Sequence, residues 1–313
     1  MALKEDIEAM LERQLRNWNL ARDNYNSVRS AKRVVLTGDS GDTFVELRFI
    51  PERMRSTAAR IDTESLKRRK CFLCLANQPQ EQETIEWNGR YKIQVNPYPI
   101  FSRHFTIAAL EHVPQRIEGR VGDMLALADE LPGYVVFYNG PESGASAPDH
   151  FHFQAGLRKE LPVCEQIGQC GERHNAGLHL DDFGRAMYYF KCVDKGDAQN
   201  RLTELQGILP AGEYEPKQNV LCWTDAGKHH YHLLVFPRYR HRPSCYGDGD
   251  GQIMWSPASV DLAGLIVLPR EADFRSITID DVIKVFCEVT RNEDDCALTL
   301  ETFLKEKEKI FQR

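Results

Sequence analysis

The sequence predicts an α+β protein whose helices pack on an antiparallel sheet. Short runs rich in Val, Ile, Tyr and Phe, bounded by Gly, Pro, Asn and Asp, indicate strands along most of the chain. Runs with apolar residues at helical spacing lie between them. Residues 103–114 and 231–243 also share a layout of His, β run, second His and Pro. Two copies of one α+β unit, joined in a continuous sheet, would produce such an internal repeat.

Composition narrows the class of protein. The 313 residues are 42% hydrophobic and 27% charged, which is enough for one large domain or two. A net charge of -6 gives no broad basic field and argues against a general nucleic-acid binder. The N-terminal segment carries charges throughout and no stretch reaches membrane-spanning length, so we expect a cytoplasmic protein with no membrane partner. The 9 cysteines favour free thiols or a metal site over a disulfide framework.

The first half of the chain begins with an amphipathic pattern that predicts one helix over residues 3–28. Residues 33–37 and 43–49 are predicted as strands around a Gly-Asp turn. The basic segment 53–70 has no clear period and predicts a loop. The elements that follow are a strand from 91 ending in a Pro-rich turn, a strand over 103–110, a helix over 120–131 and a strand over 134–139.

The second half of the chain has weaker patterns at its start, where residues 164–182 predict an inserted loop or hairpin. Thr278 and Asp281 stand in capping-box spacing at the start of a helix over 278–290. The other predicted elements are strands over 186–193, 219–225, 230–238, 252–256 and 263–269, and helices over 197–209 and 298–311.

The strongest chemical signal is the run His-Phe-His-Phe-Gln at residues 150–154. If the run is a strand, its histidines and Gln154 share one face and its phenylalanines point into a core. A neutral imidazole is a good nucleophile toward phosphorus, and amide and backbone N–H donors can hold phosphate oxygens as charge builds there. Small residues at Gly144 and Ser146 would let backbone N–H groups approach a phosphate. The alternative is that the histidines only cap a core strand.

The stretch from Gly144 to Gln154 resembles the histidine-triad superfamily and, within it, the branch of galactose-1-phosphate uridylyltransferase. That branch carries Gly-x-Ser-x-Pro-His-x-His-x-Gln, and Asp149 is one residue more than this pattern. The segment HFHFQA is similar to the GDP-hexose phosphorylases, and NPYPIFSRHFTI resembles the diadenosine tetraphosphate phosphorylases. The resemblance implies a sheet built from two histidine-triad-like halves. The implied division is an N-terminal helix at 1–30, a first half with the motif at 31–195, and a second half with C-terminal helices at 196–313.

The resemblance also implies roles for single residues. His152 would be the nucleophile that carries a nucleotidyl group, Gln154 would hold phosphate oxygens, and His150 would stand beside them. The substrate-binding residues expected around them are Asn139, Gly144, Ser146, His104, Arg53, Arg55 and Arg60. Arginine suits phosphate through its forked donors, although a solvated loop position is the alternative for each of the three.

Cys71 and Cys74 form a C-x-x-C pair, a spacing that suits zinc, an iron–sulfur cluster or redox chemistry. Two buried thiols on a turn are the alternative. The chain has no second C-x-x-C, so further metal ligands must be histidines or carboxylates. Resemblance to the zinc-binding uridylyltransferases implies His112 and His150 as these ligands. Such a Cys2His2 shell is tetrahedral and closed, which makes the expected zinc structural.

Two further clusters are weaker signals. Residues 229–242 collect four histidines and three arginines, which would form a basic rim for a phosphate or sugar-phosphate acceptor, or else a polar strand edge. A second cluster matches no standard metal site in its spacing and consists of His174, His179, Cys164 and Cys170.

Together these features predict a nucleotidyltransferase or phosphorylase that acts on a nucleoside diphosphate sugar or a dinucleoside polyphosphate. The acceptor would be phosphate or a sugar phosphate. Gln154 in the third motif position favours transfer, because the branch with a third histidine tends to hydrolyse. A nucleotide hydrolase of the histidine-triad type and a zinc-stabilised, non-catalytic nucleotide-binding protein are the alternatives. A homodimer is expected by analogy with related proteins.

Overall fold

Strands and helices alternate along the computed structural model, which describes residues 2–58, 62–170, 177–225 and 230–297, together with 302 and 305. The strands are β1 (Lys32–Thr37), β2 (Phe44–Phe49), β3 (Thr84–Trp87), β4 (Tyr91–Val95), β5 (His104–Ala109), β6 (Tyr134–Asn139), β7 (His152–Leu157), β8 (Gly177–Leu180), β9 (Ala186–Cys192), β10 (Gln218–Thr224), β11 (Tyr231–Pro237) and β12 (Leu265–Leu268). The helices are α1 (Leu3–Asn17), α2 (Asn19–Ser30), α3 (Met54–Thr57), α4 (Thr63–Arg68), α5 (Val121–Glu130), α6 (Pro162–Cys170), α7 (Lys195–Gln206), α8 (Ser259–Leu262), α9 (Glu271–Ser276), α10 (Ile279–Thr290) and α11 (Glu293–Ala297). Short 3-10 helices cover Pro51–Arg53, Leu75–Asn77 and Arg158–Glu160.

A nine-stranded antiparallel sheet organises the described part of the chain, with the order β3-β4-β5-β7-β6-β10-β11-β9-β8. Four strands of one side, β4-β5-β7-β6, are matched by β8-β9-β11-β10 on the other, and the two units join at β6 and β10. The helices α5 and α7 occupy the same place in the chain order of each unit. This arrangement confirms the predicted α+β fold with two like halves. The alignment of the two similar sequence segments was wrong, because it matched β5 with β11. The strand order instead matches β5 with β9 and β7 with β11.

Both faces of the large sheet are covered by apolar side chains. On one face, residues of α1, α2, α5 and α7 complete a core with the strands. On the other face, a second core includes residues of α10 and of a smaller sheet with the order β1-β2-β12. Since both faces are buried, the central strands β6 and β10 are buried along their whole length and read as apolar runs rather than as a simple alternation.

The N-terminal segment forms two helices rather than the single helix predicted over residues 3–28. Trp18 separates them, with an extended backbone at φ -120° and ψ 101°. Its side chain is buried, so the chain bends at a residue that contributes to the core. Helical spacing continues on both sides of this bend, and therefore the apolar pattern alone did not reveal it.

Three further predictions of secondary structure were wrong. The segment 53–70 contains α3 and α4 rather than a loop, and the Asp62 side chain caps α4 by accepting the Ser65 N–H at 2.9 Å. The segment 164–182, predicted as a loop or hairpin, begins instead as helix α6, and only its end, where β8 pairs antiparallel with β9, is part of a hairpin. Residues 252–256 form no strand, and Ile253 makes only an isolated bridge. The helix predicted over 298–311 lies outside the described residues apart from 302 and 305.

The other predicted strands and helices are confirmed, including the capping box of α10, in which Thr278 and Asp281 bond reciprocally. No helix in the described part of the chain is long and apolar enough to cross a bilayer. The predicted division at residues 30 and 195 stays a prediction, and the strand order groups β8 and β9 with the second unit.

Candidate active site

His152 opens β7 on the face opposite to the buried rings of Phe151 and Phe153. Burial of each ring contributes roughly 1.5–3 kcal/mol, which fixes the face that the strand turns toward the core. His150 lies in a turn ahead of the strand rather than within it. The predicted polar row on one strand face is therefore correct for His152 and Gln154 and wrong for His150.

The imidazole of His152 is held in a single orientation. Its Nδ1–H donates to the carbonyl oxygen of His150 at 2.9 Å. Burial lowers the pKa of His152 to about 4, and this effect outweighs the hydrogen bond to the His150 carbonyl, which acts to raise the pKa. The ring is therefore neutral at pH 7, and with the proton on Nδ1 the nucleophilic lone pair is on Nε2.

Gln154 is oriented by His104. The Gln154 Oε1 accepts from His104 Nε2 at 2.9 Å and from Asn96 Nδ2 at 3.4 Å, while the Ile100 N–H donates to His104 Nδ1 at 3.2 Å. Burial lowers the pKa of His104 to about 3, and Arg53 lowers it further. The oxygen of Gln154 is thus committed to the protein, and its N–H donors are what it can offer a phosphate. His104, predicted as a substrate contact, is fully buried and supports Gln154.

The loop between β6 and β7 carries the predicted phosphate-binding residues. Gly144 adopts φ +91°, and a Cβ there would lie 2.8 Å from the Cβ of Ala258, so glycine is required. The carbonyl of Ser146 accepts from Arg69 Nη1 at 3.1 Å, and Asp149 accepts from Arg69 Nη2 at 2.6 Å. Arg69 therefore fixes the loop at two points, and the extra residue Asp149 provides one of them.

The second unit of the sheet holds the same loop from the other side. Arg238, just after β11, is fully buried and donates to Asn219 Oδ1 at 2.7 Å and to a loop carbonyl at 3.3 Å. Asn219 in turn donates to Asn139 Oδ1 at 2.8 Å. His241 accepts the backbone N–H of Gly144 at 3.3 Å. Asn139, predicted as a substrate contact, thus belongs to a hydrogen-bond network that joins the two units.

Arg53 places a cation beside this polar face. Its Nη1 donates to the Tyr98 carbonyl at 2.6 Å. Burial lowers the pKa of Arg53 to about 10, so the side chain stays charged at neutral pH, and this charge helps to keep His104 neutral. Of the other predicted arginines, Arg55 lies in α3, and Arg60 lies outside the described residues.

The four predicted metal ligands come together in one cluster. The ligand atoms of Cys71, Cys74, His112 and His150 all lie within 4.8 Å of one another. Cys71 Sγ lies 3.3 Å from His150 Nδ1, and Cys74 Sγ lies 3.2 Å from His112 Nδ1. His150 Nε2 donates to the Ala109 carbonyl at 2.9 Å, which leaves the Nδ1 lone pair toward the cysteines. This donor set and its spacing fit a tetrahedral Zn²⁺, with Zn–S of about 2.3 Å and Zn–N of about 2.0 Å.

Two charged side chains flank the Cys2His2 cluster. Asp149 Oδ2 lies 3.9 Å from His112 Nε2, on the side of the ring away from Cys74. Lys92 is buried near Cys71 and Cys74, and burial lowers its pKa to about 8. Burial raises the pKa of the Cys71 thiol to about 11, so metal binding at this thiol would release a proton.

The structure brings together part of the basic rim predicted in the second half, since Arg238 and Arg242 both lie near enough to His241 to lower its pKa. His232 Nε2 lies 3.0 Å from Asp225, and Arg240 pairs with Glu288 at 3.1 Å. Two members of the predicted rim, Arg238 and His241, bond to the loop between β6 and β7. His174 and His229 lie outside the described residues.

Three residues that support the site were missed from the sequence: Arg69, Gln115 and Asn219. Each reaches the motif from another element, across 37 or more residues of chain. No local spacing marks such contacts. A polar residue at the start of a predicted apolar strand, as Asn219 is in the strand predicted over 219–225, was the one available signal.

Comparisons with known proteins support the resemblance to the galactose-1-phosphate uridylyltransferases. A family model described as a domain of unknown function (DUF4922) matches residues 10–157. Galactose-1-phosphate uridylyltransferase 1 of Streptococcus pneumoniae is 31% identical over 104 residues, which cover 28% of this chain and 21% of the relative. The galactose-1-phosphate uridylyltransferase of Clostridium perfringens strain 13 is 28% identical over 103 residues, with the same coverage. The chain thus matches about a fifth of the length of these curated relatives.

A solved structure extends the likeness to nearly the whole chain. The yeast Ap4A phosphorylase Apa2 in complex with Ap4A superposes with a TM-score of 0.61, at 18% identity, and covers 90% of this chain and 97% of the yeast chain. At this identity the likeness shows the fold. The sequence matches and the fold together confirm the resemblance predicted from the motif.

Proposed function

We propose that this protein belongs to the galactose-1-phosphate uridylyltransferase-like branch of the histidine-triad superfamily and transfers a nucleotidyl group by way of a covalent bond to His152. The donor is a nucleoside diphosphate sugar or a dinucleoside polyphosphate. The acceptor is phosphate or a sugar phosphate. The named relatives are a uridylyltransferase and an Ap4A phosphorylase, and both reaction types fit this description.

The observation that carries the proposal is the state of the His152 ring. Its Nδ1 proton is bonded to the His150 carbonyl at 2.9 Å, and its pKa is about 4. The lone pair on Nε2 is therefore available throughout the neutral pH range. On the same strand face, Gln154 has its oxygen bonded to His104 and its N–H donors to offer. A nucleophile next to donors for phosphate oxygens is what nucleotidyl transfer requires.

Transfer takes place in two displacements at phosphorus. In the first, His152 Nε2 attacks the α-phosphorus, a P–N bond forms, and the bond to the bridging oxygen breaks. The leaving group departs with that oxygen as a sugar phosphate or a nucleoside polyphosphate. In the second, an acceptor oxygen attacks the same phosphorus, and the electron pair of the P–N bond returns to Nε2. The Nδ1–H bond to the His150 carbonyl stabilises the imidazolium of the adduct.

The charges around the ring suit a nucleotide phosphate chain. Arg53 is a half-buried cation next to His104, and Arg69 holds the loop that begins the motif. Gly144 lets this loop pack against Ala258 because it has no side chain, and its positive φ suits a turn that can cradle a phosphate. We assign the donor phosphates to this loop and to Arg53.

Zinc, when bound, would be held by Cys71, Cys74, His112 and His150. Four protein ligands close the coordination shell, so the ion would have a structural role. His150 links that shell to the catalytic strand, because its carbonyl oxygen accepts the His152 Nδ1 proton. The cluster would thus set the orientation of the nucleophile without touching the substrate.

The test is to trap the adduct. The protein is incubated without acceptor with a panel of donors labelled at the α-phosphate: UDP-, ADP- and GDP-sugars and a dinucleoside tetraphosphate. Intact-mass measurement after denaturation should show one added nucleotidyl group, stable in base and labile in acid. Phosphate or a sugar phosphate should then discharge it as a new nucleotide. Release of mononucleotide without any acceptor would instead indicate a hydrolase.

His152→Gln serves as the matched variant, because a glutamine can keep a hydrogen bond but cannot form the adduct. It should bind the donor and remain unlabelled. Failure of every donor to label the parent, combined with full turnover in His152→Gln, would overturn the proposal. Tight nucleotide binding with no exchange of label under any acceptor would favour a non-catalytic binding protein.

A further inference from the structure

The side chain of Gln115 is bonded directly to the backbone of the nucleophile. Its Oε1 accepts the N–H of His152 at 2.8 Å, and its Nε2 donates to the His152 carbonyl at 3.0 Å. The same Nε2 donates to the carbonyl of Asn139 at 2.9 Å. Gln115 is 1% exposed, so these bonds are shielded from water.

These hydrogen bonds occupy the position where the next pair of residues of β6 and β7 would be expected to bond to each other. β6 and β7 are paired antiparallel, and the pairing runs from Tyr134 opposite Leu157 to Phe137 opposite Gln154. Continuation of that register would place Asn139 opposite His152. Instead the amide of Gln115 lies between them and bonds to both. The two strands are thereby held apart at the position from which the nucleophile and the loop after β6 emerge.

Two neighbouring backbone bonds show that the segment of Gln115 follows the motif closely. The Gln115 N–H donates to the Pro148 carbonyl at 3.1 Å, and the Phe151 N–H donates to the Val113 carbonyl at 2.7 Å. The segment also begins directly after His112, one of the four residues of the metal cluster. Gln115 therefore connects that cluster, the loop and the nucleophile.

We infer that Gln115 is a positioning residue for the nucleophile. Its amide fixes the backbone of His152 relative to Asn139, and so sets where Nε2 stands relative to the phosphate site. The inference rests on the proposed function for its effect on rate, and on the structure alone for its effect on the His152 backbone. Glutamine suits the role because it combines an acceptor with two donors, and three of these capacities are used here.

Substitutions of similar size can distinguish the hydrogen-bonding role of Gln115 from a role in packing alone. A glutamate is almost the same size, but when ionised it has no donor, and it would face the carbonyl oxygens of His152 and Asn139. Burial and these oxygens would raise the pKa of the introduced carboxyl. On protonation it would regain one donor. The effect of Gln115→Glu should therefore ease as the pH falls, whereas that of Gln115→Met should not.

The experiment compares the parent protein with Gln115→Glu, Gln115→Met and the control Gln199→Glu, which is exposed on α7. Rapid-quench measurement with a donor that labels the parent gives the rate of adduct formation at saturation. Calorimetry in a His152→Gln background gives the affinity for the same donor without turnover. We expect both Gln115 variants to form the adduct roughly 100-fold more slowly. Affinity should change by less than about threefold. Lowering the pH from 8 to 6 should partly restore Gln115→Glu alone.

Rates within about threefold of the parent in both folded variants would overturn the inference. So would a loss of rate that is matched by an equal loss of affinity, because that would indicate damage to the pocket rather than misplacement of the nucleophile. If the parent itself forms no adduct, the proposed function fails, and hydrogen exchange at the His152 amide decides about Gln115. Exchange should be faster in Gln115→Met than in the parent, and equal exchange rates would refute the positioning role.

Discussion

Acidification should unfold this protein through histidines that the site keeps neutral. His104 is fully buried and His152 is 5% exposed. Their pKa values are about 3 and about 4, against an ordinary value of 6.5, mainly because burial opposes the charged ring. In the unfolded chain both rings take up a proton near pH 6.5, whereas in the folded protein they do not until the pH is far lower. The unfolded state therefore binds more protons, and stability is present above about pH 6.5 and is lost below it.

The magnitude follows from the gap between the two pKa values of each ring. Each pH unit below 6.5 removes about 1.36 kcal/mol per histidine while the folded form remains unprotonated. Between pH 8 and pH 5, protonation of each ring in the unfolded chain thus lowers the free energy of unfolding by about 2 kcal/mol, or by about 4 kcal/mol for both rings. A typical domain has a total of about 5–15 kcal/mol, so the loss is large enough to measure and to approach unfolding.

The assay is urea unfolding followed by circular dichroism at pH 8, 6.5 and 5, on the parent and on His152→Gln. Comparison of the change with pH, rather than of the absolute stability, cancels the contributions of all other titrating groups, including the Cys2His2 cluster. The parent should lose about 2 kcal/mol more than His152→Gln between pH 8 and pH 5. The same difference should appear for His104→Gln.

Equal losses in the parent and in His152→Gln would refute the reasoning. They would mean that the imidazole takes up its proton in the folded state near its ordinary pKa. In that case the ring would be largely charged in mildly acidic solution and its nucleophilic lone pair would be lost there. Adduct formation would then decline below about pH 6.5. A neutral, buried ring predicts a flat rate from pH 8 to pH 6.

Three other predictions follow. His104→Leu releases the oxygen of Gln154 and should slow adduct formation by at least about 10-fold, as measured by rapid quench, with donor affinity nearly unchanged. A strong chelator should release close to one zinc per chain and lower the melting temperature, whereas Cys74→Ser should contain little zinc and should not respond. Gly144→Ala should destabilise by about 1–3 kcal/mol in urea unfolding because of its positive φ and close packing, while Gly122→Ala, in an open position on α5, should be neutral or slightly stabilising.

The chemistry of the site was predictable where it is local. Alternation in β7 put His152 and Gln154 on one face and the phenylalanines in the core, and the structure has this arrangement. The cluster of Cys71 and Cys74 with the distant His112 and His150 also formed as the resemblance implied. Periodicity did not show that the strand begins only at His152, because an extended run and a turn that precedes it can share the same alternation.

Other features depend on contacts that no local pattern encodes. The bend at Trp18 keeps helical spacing on both sides, and the segment 53–70 forms short helices whose caps and tertiary contacts outweigh a weak period. Gln115 looks like an ordinary loop residue in sequence. Its role depends on where β6 and β7 separate, and that is a property of the whole sheet.

The two like units of the sheet have different tasks in the site. The first provides His152, Gln154 and the Cys2His2 cluster, and the second provides Arg238, Asn219 and His241, which hold the loop. Arg238 makes no ion pair with a carboxylate within the described residues, and its guanidinium donates to neutral oxygens of Asn219 and of the loop. Burial of such a charge is costly unless it is hydrogen-bonded, so this network is stable only when the loop is in place. The position of the loop, and with it the position of the motif, is therefore coupled to the junction of β6 and β10.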